Sequence, residues 1–269
     1  MLFPFHDDVP TQRVPLVLIG LIAMNVVVSL WMWDLTPIEE DMVAFRWGFV
    51  PARVHQFFDR KPIDVQLEQG DVAPWPWAPP PKILRLPPVR WQILLSLVTC
   101  MFLHGGWLHL IGNMWFLWIF GDNVEDRLGH VPFLLFYLLG GMLASAAHWL
   151  ADPSSRMPMI GASGAIATIL GAYAITWPWA RIRTLVFLLF FITVVELPAL
   201  VVLGLWFLFQ IGAAAKGQAG AGQSVAWWAH VGGFLAGLLL MPMLSRALGV
   251  DRKGPRRQIP YQDVDEPDW

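Results

Sequence analysis

The stretch GASGAIATILGAYAITW, residues 161–177, is built almost wholly from small and apolar side chains, and a serine flanked by glycines opens it. We read Ser163–Trp177 as a membrane-spanning helix. Comparable apolar runs lie at Val14–Trp33, Leu108–Phe120, Val131–Leu150, Leu197–Ala214 and Ala226–Leu244. A spanning helix needs roughly 20 apolar residues, with about 17 as the lower limit. Leu108–Phe120 is short by that measure. It gains length from Ile93–Leu103 unless that stretch is a separate interfacial helix. The expected fold is all-α, a polytopic membrane bundle of six transmembrane helices.

Composition agrees. Of 269 residues, 56% are hydrophobic and 14% charged, against about 25% charged in a typical soluble domain. The mean hydropathy is +0.53. Many of the 16 tryptophans sit at the ends of apolar runs, as in interfacial belts. A net charge of −2 without a basic stripe gives no sign of nucleic-acid binding. Cys100 is the single cysteine, which excludes an intrachain disulfide and a thiolate metal cluster. No cofactor and no metal are expected.

Met1–Arg13 carries Asp7 and Asp8 instead of a basic start, so Val14–Trp33 is read as a retained helix. We divide the chain into a cytoplasmic N-terminus (1–13), a transmembrane domain (14–249) and a charged cytoplasmic tail (250–269) expected to be disordered. A long first loop, 34–90, is rich in Pro and Trp, with PWPWAPPP at 74–81, and is expected to be extended. Leu185–Glu196, too short to cross alone, is expected to be interfacial or re-entrant. Short inner segments carry Arg13, Arg127, Arg181, Arg183 and Arg246, whereas the short outer loops carry Arg156 and Lys216. This bias sets both termini in the cytoplasm.

In that topology the second, fourth and sixth spans start from the outer face. His109 and Asn113 open the second, Ser163 the fourth, and His230 lies about one turn into the sixth. Polar side chains inside a membrane are costly and are functional candidates by default. A lone serine ordinarily bonds a local carbonyl, and a lone histidine near a helix end ordinarily bonds at the interface. The setting argues for more. Gly161 and Gly164 around Ser163 allow a tight turn and leave the first helix amides without acceptors. Gly233 and Gly237 share a face with His230 and allow close approach to the small face Ser163, Ala167, Gly171. Hydroxyl and imidazole would then meet, activating the serine. His109 and Asn113, an i, i+4 pair, could serve an oxyanion. Only Asp152, in a loop, is a carboxylate near the outer ends, so the expected machinery is a Ser–His dyad.

His104-Gly-Gly-Trp-Leu-His109-Leu-Ile-Gly-Asn113, Gly161-Ala-Ser163-Gly164 and Ala229-His230-Val-Gly-Gly233-Phe-Leu-Ala-Gly237 resemble, in order, the three motifs of the rhomboid family of intramembrane serine proteases. Val124-Glu125-Asp126-Arg127-Leu128-Gly129 resembles that family's inner-side Glu-x-Arg element, taken as structural. The resemblance, over about Met101 to Met241, implies that Ser163 is nucleophile and His230 general base. It implies an oxyanion hole from His109, Asn113 and the Ser163 amide, with His104 lining the site or supporting the loop before the second span. The implied partners are transmembrane protein substrates in a lipid bilayer, in the bacterial inner membrane, with the site opening to the outer face. The family's Trp-Arg element has no direct match, since Arg46-Trp47 and Arg90-Trp91 run in reverse order. The loop 217–223 with Trp206, Phe207 and Phe209 is the candidate gate. Two rival readings are a catalytically silent protein that holds client helices and a His-ligated metal or haem membrane protein.

Overall fold

The computed structural model describes residues 2–67, 83–188, 191–216 and 226–250. The proline run 74–81, the loop 217–223 and the charged tail from residue 251 onward lie outside these residues. All six stretches expected as spans are helical: α1 (Leu16–Trp33), α5 (Trp107–Leu128), α6 (His130–Ala151), α7 (Ser163–Thr176), α8 (Ala199–Ala215) and α9 (Trp227–Ala247). Between α1 and α5 come α2 (Pro37–Trp47), α3 (Arg53–Asp59), a β2–β3 hairpin (Ile63–Gln66, Ile83–Leu86) and α4 (Arg90–Thr99). Strand β1 is Leu2–Asp7, and β4 (Arg181–Leu188) and β5 (Phe191–Pro198) join α7 to α8.

The chain is a multi-pass membrane helical bundle, but its helices differ in how they meet the bilayer criterion. α1, α6 and α9 are each long and apolar enough to cross. α5 passes together with α4 and its following turn, across an 82° bend. Ile93–Leu103 is therefore mostly a separate helix, and α5 gains its length at the other end, reaching Leu128. α7 and α8 are apolar but shorter, at 14 and 17 residues.

α7 can be short because lipid is not its surroundings. Every residue from Gly164 to Ala174 is buried, among α5, α6, α8 and α9. At 1.5 Å per residue it rises about 21 Å, and protein satisfies what hydrocarbon could not. The outer helices turn apolar side chains outward instead. Val131, Leu135, Leu139 and Leu143 form one exposed stripe at four-residue spacing on α6.

Glycines set the depth of the α7–α9 contact. A Cβ on Gly237 would lie 2.0 Å from the Thr168 carbonyl oxygen, one on Gly171 2.1 Å from that of Phe234, and one on Gly233 2.3 Å from that of Gly164. These obstacles are backbone, which cannot rotate aside. The two helices thus touch main chain to main chain, as expected for small-residue packing between membrane helices.

Residues 181–198 are not a re-entrant stretch. They form an antiparallel hairpin, Arg181 opposite Pro198 and Leu188 opposite Phe191, and β1 adds to its other edge in the order β1-β4-β5. The segment is rich in β-branched residues, which suit strands, but its partner β1 lies about 180 residues away, and no local pattern announces that pairing. The N-terminal segment thus adds a strand to the domain beside it. Pro4 sits on an edge strand beside a register shift, where a missing N–H is tolerated. Asp7, buried at the end of β1, accepts hydrogen bonds from Tyr173 Oη on α7 and Asn123 Nδ2 on α5. Burial pushes its carboxyl above the ordinary carboxylate range.

At the same end, Glu125 accepts from the backbone N–H groups of Val17 (2.9 Å) and Leu18 (2.7 Å), two amides at the start of α1 that lack helical acceptors. The carboxylate also pairs with His130. The Arg127 guanidinium lies over the Trp177 ring, 5.8 Å from its centre. The Glu-x-Arg element therefore fastens α1 and α7 to the foot of α5.

The first loop is not extended where it is described. Thr36 and Glu39 form a capping box with Pro37 at the first helical position, which starts α2. Arg53 is buried at 1% exposure and donates to the carbonyls of Phe45 and Arg46 and to the side chains of Gln56 and Gln92. Gln56 Nε2 in turn donates to Leu86 O at 2.9 Å. One guanidinium thus holds α2, α3 and α4 together, and Gln56 adds the hairpin. The two reversed Arg-Trp pairs meet here, with the Trp47 and Trp91 rings 6.3 Å apart.

Gly237→Ala is expected to destabilise the fold by about 1–3 kcal/mol, the usual cost of overpacking, and to lower the unfolding temperature in detergent. Gly20→Ala, where an added Cβ meets nothing within 4 Å, should leave that temperature unchanged or slightly raised.

Candidate active site

Three helix starts converge at the end of the bundle opposite the sheet. Ser163 is the first residue of α7, His230 lies in the first turn of α9, and His109 and Asn113 lie in the first two turns of α5. His230 Nε2 is 2.8 Å from Ser163 Oγ. The backbone contact at Gly233 and Gly164, one turn or less from each, produces that distance.

Gly161 shapes the approach to Ser163. Its φ of +118° is open to glycine and strained for other residues. A Cβ there would lie 2.6 Å from His109 Nε2 and 3.6 Å from Asn113 Nδ2. The missing side chain is therefore what lets the His109 ring reach the Ser163 end, whereas the Asn113 amide would stand at ordinary contact distance. Gly164 serves a different neighbour, since a Cβ on it would press on Ala144 of α6 at 2.7 Å.

Asn113 is buried, and its Nδ2 has no hydrogen-bond partner among the described residues. A buried amide donor left unpaired is costly. This donor stands beside Gly161, two residues ahead of Ser163. Ser163 adds a second donor, because the amide of a first helical residue has no intrahelical acceptor. His104 is buried edge-on against His109, ring centres 5.1 Å apart, with Nδ1 3.5 Å from Ser29 Oγ on α1. It supports His109 from behind.

The segment leading into Ser163 is held on both sides. Phe49 and Met159 exchange backbone hydrogen bonds of 3.0 and 2.8 Å, Ala52 N donates to Ser155 O, and Gly161 N donates to Cys100 O. The first loop and the turn after α4 thus fix the backbone just ahead of the serine.

On the α8 side, the Trp206 ring centre lies 5.9 Å from that of His230, Phe207 stacks on Phe234 at 4.4 Å, and Phe209 meets Trp227 edge-on at 5.8 Å. The three aromatic residues named as gate candidates are among the contacts between α8 and α9.

Gln210 was missed in the sequence. It lies on α8, is buried, and its Oε1 is 2.8 Å from His230 Nδ1. A signal existed: Gln210 is a lone amide in the apolar run FLFQIGAAA, and the rule that singles out polar residues inside a membrane applies to it as much as to Ser163. Among the described residues, no three His, Cys, Asp or Glu side chains gather as metal ligands.

The model of the rhomboid domain matches residues 91–247, more than half of the chain. Rhomboid-like protein 11, chloroplastic, of Arabidopsis thaliana is 33% identical over 164 residues, covering 55% of this chain and 52% of that protein. Rhomboid protein 1, mitochondrial, of Saccharomyces cerevisiae is 29% identical over 165 residues, covering 59% and 44%. The human Presenilin-associated rhomboid-like protein, mitochondrial, is 28% identical over 158 residues, covering 55% and 37%. The chain thus spans about half or less of these relatives' lengths. Their names place them in chloroplasts and mitochondria and lend no support to a bacterial inner membrane.

Gly161→Ala is expected to push His109 away from the serine end while the bundle stays folded. It should slow the reaction of Ser163 with a fluorophosphonate by about tenfold or more, given what one lost donor at such a site costs. Labelling time courses on folded variant and wild type check this.

Proposed function

We propose that this chain, which belongs to the rhomboid family, is an intramembrane serine endopeptidase that cleaves transmembrane segments of other membrane proteins with Ser163 and His230. The reading rests on one observation above all: the 2.8 Å contact between Ser163 Oγ and His230 Nε2, joining side chains 67 positions apart in sequence. A packing role for either residue would not require the hydroxyl to face the imidazole nitrogen.

The chemistry follows from the geometry. His230 Nε2 accepts the proton of the Ser163 hydroxyl as Oγ attacks a peptide carbonyl carbon. Negative charge grows on the carbonyl oxygen, and the free Asn113 Nδ2, His109 and the Ser163 amide are the donors that receive it. His230 then passes its proton to the leaving amine, and water, activated by the same imidazole, releases the acyl group from Ser163. A substrate helix must unwind to offer its carbonyl. Unwound backbone has no partners in hydrocarbon, so cleavage belongs in a polar pocket such as the one these side chains surround.

The membrane domain is assigned to residues 14–249, with all six apolar helices crossing as spans and α7 crossing inside protein. Residues 1–13 and 250–269 lie on the cytoplasmic side with Arg13, Arg127, Arg181 and Arg183. The Ser163 end opens to the opposite face.

Ser163→Ala and His230→Ala should abolish cleavage of a model transmembrane substrate in liposomes while the protein stays folded. Asn113→Ala should lower kcat by roughly 100–1000-fold, the typical cost of one oxyanion donor. Cleavage that persists in Ser163→Ala would remove the serine from the mechanism.

A further inference from the structure

We propose that Gln210 is a positioning residue for His230: its carboxamide oxygen, brought in by α8, holds the imidazole in the tautomer whose Nε2 can take the Ser163 proton. This rests on the protease reading above and adds the part that a Ser–His pair lacks.

An imidazole has two nitrogens and, when neutral, one N–H. As a base toward Ser163, His230 must carry that hydrogen on Nδ1 and leave Nε2 bare. Ring packing cannot impose this. Trp206 and Trp227 flank the ring at 5.9 and 6.0 Å between centres and restrict its tilt, yet a ring contact does not register which nitrogen holds the proton. A hydrogen-bond acceptor at Nδ1 does. Gln210 Oε1 is at 2.8 Å, so Nδ1–H donates to it and the Nε2 lone pair faces the Ser163 hydroxyl at 2.8 Å. Without that acceptor, the other tautomer can turn Nε2–H toward Oγ, where it donates and cannot act as base.

The placement of Gln210 supports the assignment. The side chain is 4% exposed in a helix otherwise composed of apolar residues. Burying a carboxamide in such surroundings is costly unless its hydrogen bonds are made, and its oxygen is spent on His230. The amide is neutral, so it orients the ring as the carboxylate of a soluble serine protease does without introducing a buried charge, which would be far more costly in an apolar bundle. The acceptor also comes from α8, which packs on α9 through Phe207–Phe234. The base is therefore set while α8 is docked.

The test uses the full chain in liposomes as wild type, Gln210→Met, Gln210→Glu and Ser163→Ala. The readings are kcat and KM on a model transmembrane substrate, the rate of fluorophosphonate labelling at Ser163, and the unfolding temperature. Gln210→Met keeps the volume and removes the acceptor. Its kcat and labelling rate should fall by about tenfold or more, as when a general base is misdirected, with KM within about twofold and no loss of unfolding temperature. Gln210→Glu presents an acceptor oxygen whether or not it is protonated, and should label at a rate near wild type. Labelling of Gln210→Met as fast as wild type overturns the proposal. So does a Gln210→Glu protein as slow as Gln210→Met, or a Gln210→Met protein whose defect is a raised KM and a lower unfolding temperature, since these mark packing alone. A wild type that is not labelled at Ser163 overturns the protease reading, and this proposal with it.

Discussion

Helices α7 and α9 meet backbone to backbone, and the rest of the molecule is arranged around that contact. Gly171 and Gly237 each face a carbonyl oxygen of the other helix at a distance that leaves no room for a methyl group. Side chains of ordinary size would hold helix axes 8–10 Å apart. Ser163 and His230 are short reaches, so their polar atoms meet only if the helices come closer than that. Close approach of membrane helices has no hydrophobic drive, because lipid tails are as apolar as the side chains they would replace. Packing between small residues has to supply it, and the price is a run of glycines that tolerates little change.

That contact fixes one distance; the remaining geometry comes from other elements. α5 brings His109 and Asn113 against the bare Cα of Gly161. α1 backs His104 through Ser29. The folded first loop grips the strand of chain before the serine through Phe49, Ala52 and Met159. α8 contributes Gln210 and the aromatic side chains that border His230. Each of these helices approaches from a different direction, so no one of them can be displaced without altering a particular polar contact.

The far end of the bundle works as an anchor. Glu125 closes the start of α1, Arg127 lies over Trp177 at the end of α7, and Asp7 bridges α5 and α7 from the three-stranded sheet. Helices that are clamped at one end and share a glycine seam along their length keep their relative rotation at the other end, where the polar groups stand. Rotation of α7 by a fraction of a turn would carry Ser163 out of reach of His230.

The sequence by itself determined the apolar segments, and with them the helices, because burial in lipid demands long uninterrupted runs that composition displays directly. It also determined the small-residue faces on α7 and α9 and the polar residues at their starts, since a serine, a histidine or an asparagine among leucines and glycines stands out. Tertiary structure alone decided what depended on distant partners. The pairing of β1 with β4 joins segments about 180 residues apart, so Leu185–Glu196 could be seen as apolar but not as a hairpin. The folding of the first loop turns on Arg53, whose acceptors come from α2, α3 and α4, and a buried arginine in sequence resembles any exposed one. Gln210 was visible as an oddity in α8, yet its role depends on which nitrogen of His230 it meets. A hydrogen bond between helices is set by rotation and depth to within a few tenths of an ångström, and a hydrophobic pattern fixes rotation only to a face.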